Sequence, residues 1–172
     1  DNKKWSSTSY STSSWNSGSA PLGYYTSDNN NSRGYNTILD YGENANNKRP
    51  TYYFRSSFTL SAAPTSNESF VLNYTVDDGM VVYINGTEAG RYLMPNGTIS
   101  YNSYASTYAN NNPDNGTLTL PSSLFKKGTN VIAIEVHNNN STSTDIYFDA
   151  ELQRIYATGD ESIVCQDKEY EL

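Results

Sequence analysis

From Thr51 onward, apolar and polar residues take turns along the chain. Tyr52, Phe54, Phe58 and Leu60 alternate with Tyr53, Arg55, Ser57 and Thr59, the period of two that a strand with one face in a core requires. The first set is expected to point inward. The same alternation returns in Phe70, Leu72, Tyr74 and Val76, in Ile132, Ile134 and Val136, and in Ile146, Phe148, Ala150 and Leu152. These are four predicted strands, and Phe54, Leu72, Ile134 and Phe148 are expected to meet from opposed layers in one dry interior. Met80 to Ile84 and Thr87 to Leu93 flank Asn85-Gly86, a pair that readily takes the positive φ angles of a tight primed turn, so this stretch predicts a hairpin. Asn96-Gly97, Asn115-Gly116 and Lys127-Gly128 mark further turns.

Residues 1 to 50, rich in Ser, Asn, Gly and Tyr, predict loops and short edge strands without a helix, anchored by Trp5, Tyr10 and Trp15. Residues 98 to 116 read as one long connection, the kind of segment that often carries function. Many short strands, dense turn signals and no amphipathic helix argue for an all-β chain, a jelly-roll β-sandwich of two antiparallel sheets. Periodicity fades after Ile155, so the module is expected over residues 1–157, with 158–172 as a C-terminal linker or tail that holds Cys165.

A chain of 172 residues fits one domain, and at that size folding removes roughly 70% of the unfolded surface from water. The formal net charge of -7 repels phosphate backbones and anionic headgroups, which argues against nucleic acid and membrane surfaces. Only 17% of residues are charged. The polar surface is therefore built from hydroxyls, amides and phenols, which suits sugars and is also common among secreted β-proteins of any kind. With a single cysteine, no internal disulfide is available and packing must carry stability. No run of 18 or more apolar residues occurs, and Asp1-Asn2-Lys3-Lys4 is not a signal peptide, so no membrane insertion is expected. The expected product is a soluble monomer from a secreted or cell-surface protein. Asn-x-Ser/Thr sequons at Asn73, Asn85, Asn96 and Asn115 would be glycosylation sites only in a eukaryotic secretory pathway.

Several stretches carry a resemblance: Ala20-Pro21-Leu22-Gly23-Tyr24, Thr51-Tyr52-Tyr53-Phe54-Arg55, Asp77-Asp78-Gly79-Met80-Val81-Val82-Tyr83-Ile84-Asn85-Gly86, the segment from Gly128 to His137, and Asp145-Ile146-Tyr147-Phe148-Asp149. In this order, over about residues 5 to 155, the chain resembles the galactose-binding-like jelly-roll modules appended to secreted bacterial enzymes and surface proteins. The resemblance implies a jelly roll and a structural calcium ion. It leaves the role open among carbohydrate binding, adhesion and simple spacing, because fold does not settle function. Asp77-Asp78-Gly79 before a Tyr-Ile-Asn-Gly hairpin is also similar to the protective-antigen-type lectin domains of yeast flocculins, where an acidic pair holds calcium and the calcium holds sugar hydroxyls. That similarity implies metal ligation by Asp77 and Asp78.

Read from the residues themselves, Asp77 and Asp78 either hold a hard cation, which wants several oxygens, or bond backbone amides in a turn. The loops 28–31 and 110–114 are rich in side-chain oxygens and could bind calcium or sugar, or be solvated turns. Tyr24, Tyr25, Tyr35, Tyr41, Tyr101, Tyr104 and Tyr108 fall in segments read as loops, and aromatic faces stack on the C–H faces of pyranose rings. Tyr24, Tyr25, Tyr104, Tyr108, Asn111 and Asp114 are the candidate carbohydrate-binding residues, with Tyr104 and Tyr108 expected to be exposed. Trp5 and Trp15 are expected to plug the core instead, as large aromatics usually do. His137 lacks the partners of a zinc site and is expected to be a structural hydrogen-bonder, and by family resemblance Asp145 is expected to pin a loop.

No nucleophile elbow, phosphate loop, dinucleotide fingerprint or marked carboxylate pair occurs, so no catalytic residue is assigned. Two readings stay open. One is a non-catalytic carbohydrate-binding module that recognises polysaccharide through loop aromatics and Asn/Asp. The other is a structural or adhesive spacer that docks neighbouring domains of its parent protein.

Overall fold

The computed structural model describes residues 3–27 and 31–156, and beyond these only the backbone pairing of residues 163–164 and 170–171. Cys165, residues 28–30 and most of the expected tail 158–172 lie outside the described residues. The strands are β1 (Ser17–Gly18), β2 (Leu22–Tyr25), β3 (Thr37–Ile38), β4 (Thr51–Leu60), β5 (Glu68–Asp77), β6 (Gly79–Ile84), β7 (Thr87–Tyr92), β8 (Asp114–Leu120), β9 (Gly128–His137), β10 (Asp145–Tyr156), β11 (Ile163–Val164) and β12 (Tyr170–Glu171). They form two packed sheets: a front sheet in the order β1-β12-β4-β9-β6-β7 and a back sheet in the order β3-β2-β10-β5-β8, with β11 added to β10. The expected jelly-roll β-sandwich is the observed architecture. Its ladders are antiparallel except for the short parallel contact of β2 with β3.

The alternation read from the sequence sets the interior. Phe54, Leu72, Ile134 and Phe148 are all buried, and the Phe54 and Phe148 rings stack across the two sheets with centroids 4.5 Å apart. At the far end Phe70 stacks on Phe125 at 3.7 Å. The Asn85-Gly86 hairpin forms as expected, with φ of 53° and 90° at its two central residues, the left-handed values a primed turn needs.

Three features differ from the sequence expectation. Asp114–Leu120 is a strand, although Asp114 to Gly116 was expected within the long connection. Its first three residues, Asp-Asn-Gly, have little intrinsic strand signal, and their state comes from pairing with β5, which runs from Val76↔Asp114 to Phe70↔Leu120. Tyr24 and Tyr25 are in β2 rather than a loop. A 3₁₀ turn over Lys3–Ser6 carries Trp5 onto the outer face of the front sheet, in a region expected to be loops and edge strands.

That outer face is covered. Val81, Tyr83, Val131 and Ala133 form a second apolar cluster with Met94, Ile99 and Ala105 from the strandless segment after β7, and Trp5 packs against it. β6 is consequently buried along its whole length, which accounts for the unbroken apolar run Met80 to Ile84: a strand covered on both sides has no reason to alternate. Gly79 permits the cover, since a Cβ there would lie 2.7 Å from Met94 Sδ and 2.9 Å from Ala105 Cβ. Among the described residues no helix is long and apolar enough to cross a membrane.

Removing one ring of the inter-sheet stack tests the core. Phe148→Ala should lower the unfolding free energy by about 3–5 kcal/mol, read from urea denaturation, whereas a loss under about 1 kcal/mol would mean the sheets do not depend on this contact.

Candidate functional site

β4, β6, β8 and β10 begin, and β2, β5, β7 and β9 end, at one end of the sandwich, and the connections gathered there are tied by buried carboxylates. Asp78 accepts the backbone N–H of Ala109 on Oδ1 (3.0 Å) and that of Asn139 on Oδ2 (2.8 Å). Asp114 accepts from Tyr92 Oη (2.7 Å), from the amides of Asn110 and Asn111 (3.0 and 2.9 Å) and from Asn111 Nδ2 (2.8 Å). Its burial works to raise its pKa, but these donors outweigh that and hold it below the usual carboxylate range. Asp145 pairs with Arg33 Nη2 at 2.8 Å, and Arg33 reaches on to Asn112 and lies over the Tyr25 ring at 4.3 Å. Arg33 comes no closer to Asp77 than 4.0 Å. Burial, with the neighbouring Asp78 and Asp145 carboxyls adding to it, pushes Asp77 up to about 9.

Beside this tied end, where β4 starts, lies an open groove of about 460 Å³ lined by Trp15, Asn16, Asp40, Arg49, Thr51, Tyr53 and Tyr101 among others. Trp15 is set by a turn, its amide bonding Thr12 O at 2.8 Å, and by ring contacts with Trp5 (6.5 Å, stacked) and Tyr10 (6.0 Å, edge-on). Trp5 packs in turn on Tyr53 at 4.7 Å. Tyr53, on the outer face of β4, has its phenol pushed up to about 12 by burial and, to a smaller degree, by the Glu135 and Tyr101 side chains. Tyr101 is 40% exposed. The polar end of the groove is an ion pair: Arg49 Nη2 donates to Asp40 Oδ2 at 2.9 Å, and the Gly42 amide donates to Asp40 Oδ1 at 2.9 Å. Both bonds, the Arg49 one foremost, hold Asp40 below its ordinary value, so it is a carboxylate acceptor throughout the neutral range. Aromatic faces beside an exposed carboxylate and guanidinium suit a ligand with apolar C–H faces and a rim of hydroxyls.

No family model matches the chain, and no curated protein matches it. Among solved structures, it is similar to part of a native α-L-rhamnosidase from Aspergillus terreus, at 18% identity over 71% of this chain and 14% of that one, with a TM-score of 0.45. A Streptomyces avermitilis α-L-rhamnosidase complexed with L-rhamnose is similar at 17% identity over 74% of this chain and 11% of that one, TM-score 0.45. The apo form of Pleurotus ostreatus lectin is similar at 17% identity over 72% of this chain and 30% of that one, TM-score 0.38. The chain thus spans a small part of each.

The residues singled out from the sequence fall into different places. Tyr24 is 3% exposed, packed on Tyr41 and Tyr52, so its ring face is in the core. Burial pushes its phenol up to about 12 despite a hydrogen bond with Asn138. Tyr25 is half-buried under Arg33. Asn111 is exposed and helps satisfy Asp114, which is itself 3% exposed. Tyr104 is half-buried, and Tyr108 is 64% exposed. Tyr25, Asn111 and Asp114 are thus linked through Arg33 and Asn112 into one rim, and none of the six lines the aromatic groove. Asp77 and Asp78, each 2% exposed, sit beneath that rim. Asp78 accepts two backbone amides, Arg33 pairs with Asp145, Asp77 Oδ2 is buried without a hydrogen-bond donor, and among the described residues no group of three or more His, Cys, Asp or Glu is arranged to hold a metal. Asp145 pins the Arg33 segment.

Trp15 is the main correction. It was expected as a core plug, yet it is only half-buried and walls the groove. The groove residues Asp40, Arg49 and Tyr53 were not singled out; the one signal available was a Trp in a Ser/Asn-rich segment with no alternation to bury it.

Two outcomes check these electrostatics. Arg49→Ala should return Asp40 toward about 3.9, seen by NMR titration of its carboxyl carbon. Asp77 takes up its proton on folding anywhere between its unfolded value near 4 and its folded value near 9, so this group costs stability increasingly as pH rises through that window. Asp77→Asn should therefore flatten the decline in urea midpoint from about pH 5 to about pH 9; an unchanged slope would show that Asp77 does not cause it.

Proposed function

We propose that this chain is a non-catalytic carbohydrate-binding module that grips polysaccharide in the groove walled by Trp15, Tyr53 and Tyr101. The observation that carries the reading is the pairing of that aromatic wall with the exposed Asp40–Arg49 pair at its end. A pyranose ring laid on the aromatic faces gives up water from its C–H surface, while its hydroxyls donate to Asp40 and accept from the Arg49 N–H groups that Asp40 leaves free. Stacking is tolerant of ring identity, so the polar end selects among sugars. The groove reading needs no calcium, and the net charge of -7 disfavours strongly anionic glycans at low salt. In the secreted or surface-exposed parent protein this reading supposes, the module holds neighbouring domains on their glycan.

Affinity electrophoresis in gels containing xylan, galactomannan, pectin or mucin tests this. Retardation on at least one of them is expected, and Trp15→Ala or Tyr101→Ala should weaken it at least about ten-fold, the scale of one lost stacking contact. A folded wild-type protein that runs unretarded through all four would refute the proposal and favour the spacer reading.

A further inference from the structure

Tyr101 belongs to a segment with no strand between Leu93 and Pro113, and a ring on a loose segment makes a poor binding platform because ordering it on contact costs affinity. The backbone beside Tyr101 is, however, gripped from below. Thr51 Oγ1 lies 2.5 Å from the Tyr101 carbonyl and 2.9 Å from His137 Nδ1, and that nitrogen lies 2.8 Å from the Ser103 carbonyl. Thr51 and His137 are direct partners in the β4–β9 ladder, and both are buried.

Counting hydrogens fixes the roles. Both carbonyls can only accept, so the Thr51 hydroxyl proton goes to Tyr101 O and His137 carries its hydrogen on Nδ1, shared between Ser103 O and Thr51 Oγ1. Both donors reach a carbonyl of the segment that presents the ring, Thr51 Oγ1 at Tyr101 and His137 Nδ1 at Ser103. We infer that Thr51 and His137 are positioning residues of the groove, which hold Tyr101 in its ligand-ready place before any sugar arrives. The inference rests on the groove reading for its consequence in binding, while the grip itself is independent of any ligand.

The test pairs Thr51→Val, which keeps the β-branched shape and removes the hydroxyl, with Thr51→Ser, which restores it. In the free protein, hydrogen exchange of the Ser103 and Ala105 amides should quicken about ten-fold in Thr51→Val and stay near wild type in Thr51→Ser. On whichever of xylan, galactomannan, pectin or mucin retards the wild type most, Thr51→Val should bind about ten-fold more weakly, with Thr51→Ser rescued. Unchanged exchange in Thr51→Val, equal loss in both variants, or full binding despite quickened exchange would each overturn the inference. If Trp15→Ala and Tyr101→Ala also bind like wild type, or no gel retards the wild type, the groove reading has failed instead, and the exchange result alone decides whether Thr51 holds the segment.

Discussion

Everything in this protein is built outward from the contact of Phe54 with Phe148 across the two sheets. Those rings, stacked at 4.5 Å, lie at the middle of an interior whose other members come from alternate positions of β4, β5, β9 and β10. With no disulfide available to the chain, hydrophobic burial of this layer is the dominant favourable contribution to folding. It also fixes the register of every long strand, because a slip by one residue would turn Phe54 outward and Tyr53 inward.

A second layer follows from the first. Once the inward positions are spent on the interior, the outward positions of β6 and β9 still carry Val81, Tyr83, Val131 and Ala133, and these have to be covered. The cover comes from Trp5 and from the segment after β7. Beneath it lie polar groups that need internal partners, and Tyr83 donates to Glu135 Oε1 at 2.6 Å. The groove opens where this cover stops, so its walls combine the margin of the cover, Tyr101, with the outer face of β4, Thr51 and Tyr53. Its aromatic character is a by-product of how the front sheet is shielded.

The carboxylates at the same end do the work that regular structure does elsewhere. Asp78 and Asp114 stand in for missing strand partners, each accepting backbone amides from segments that have no ladder of their own. Arg33 neutralises Asp145 while pulling Asn112 toward β2. A chain with so many polar loops keeps a defined shape because its buried acids consume loose N–H groups, and the price is carboxyl groups held out of water.

The strands that alternate were legible because burial of one face imposes its period directly on the residues: Phe54, Leu72, Ile134 and Phe148 could be placed inward from the sequence, and Asn85-Gly86 could be read as a turn from its φ preferences alone. β8 was not legible, since Asp114 to Gly116 become strand only by pairing with β5. The acidic pair was half legible; a turn role for Asp78 was one of two readings, and the amides it binds come from residues 31 and 61 positions away. The site was the least legible part. Trp15, Asp40, Arg49, Tyr53 and Tyr101 come from four separate stretches, and no spacing along the chain relates them. The sequence by itself determined which side chains leave water, because that depends on each residue and its near neighbours. Only the tertiary structure decided which of the remaining aromatics share a surface, because that depends on how distant segments fold over the outside of the front sheet.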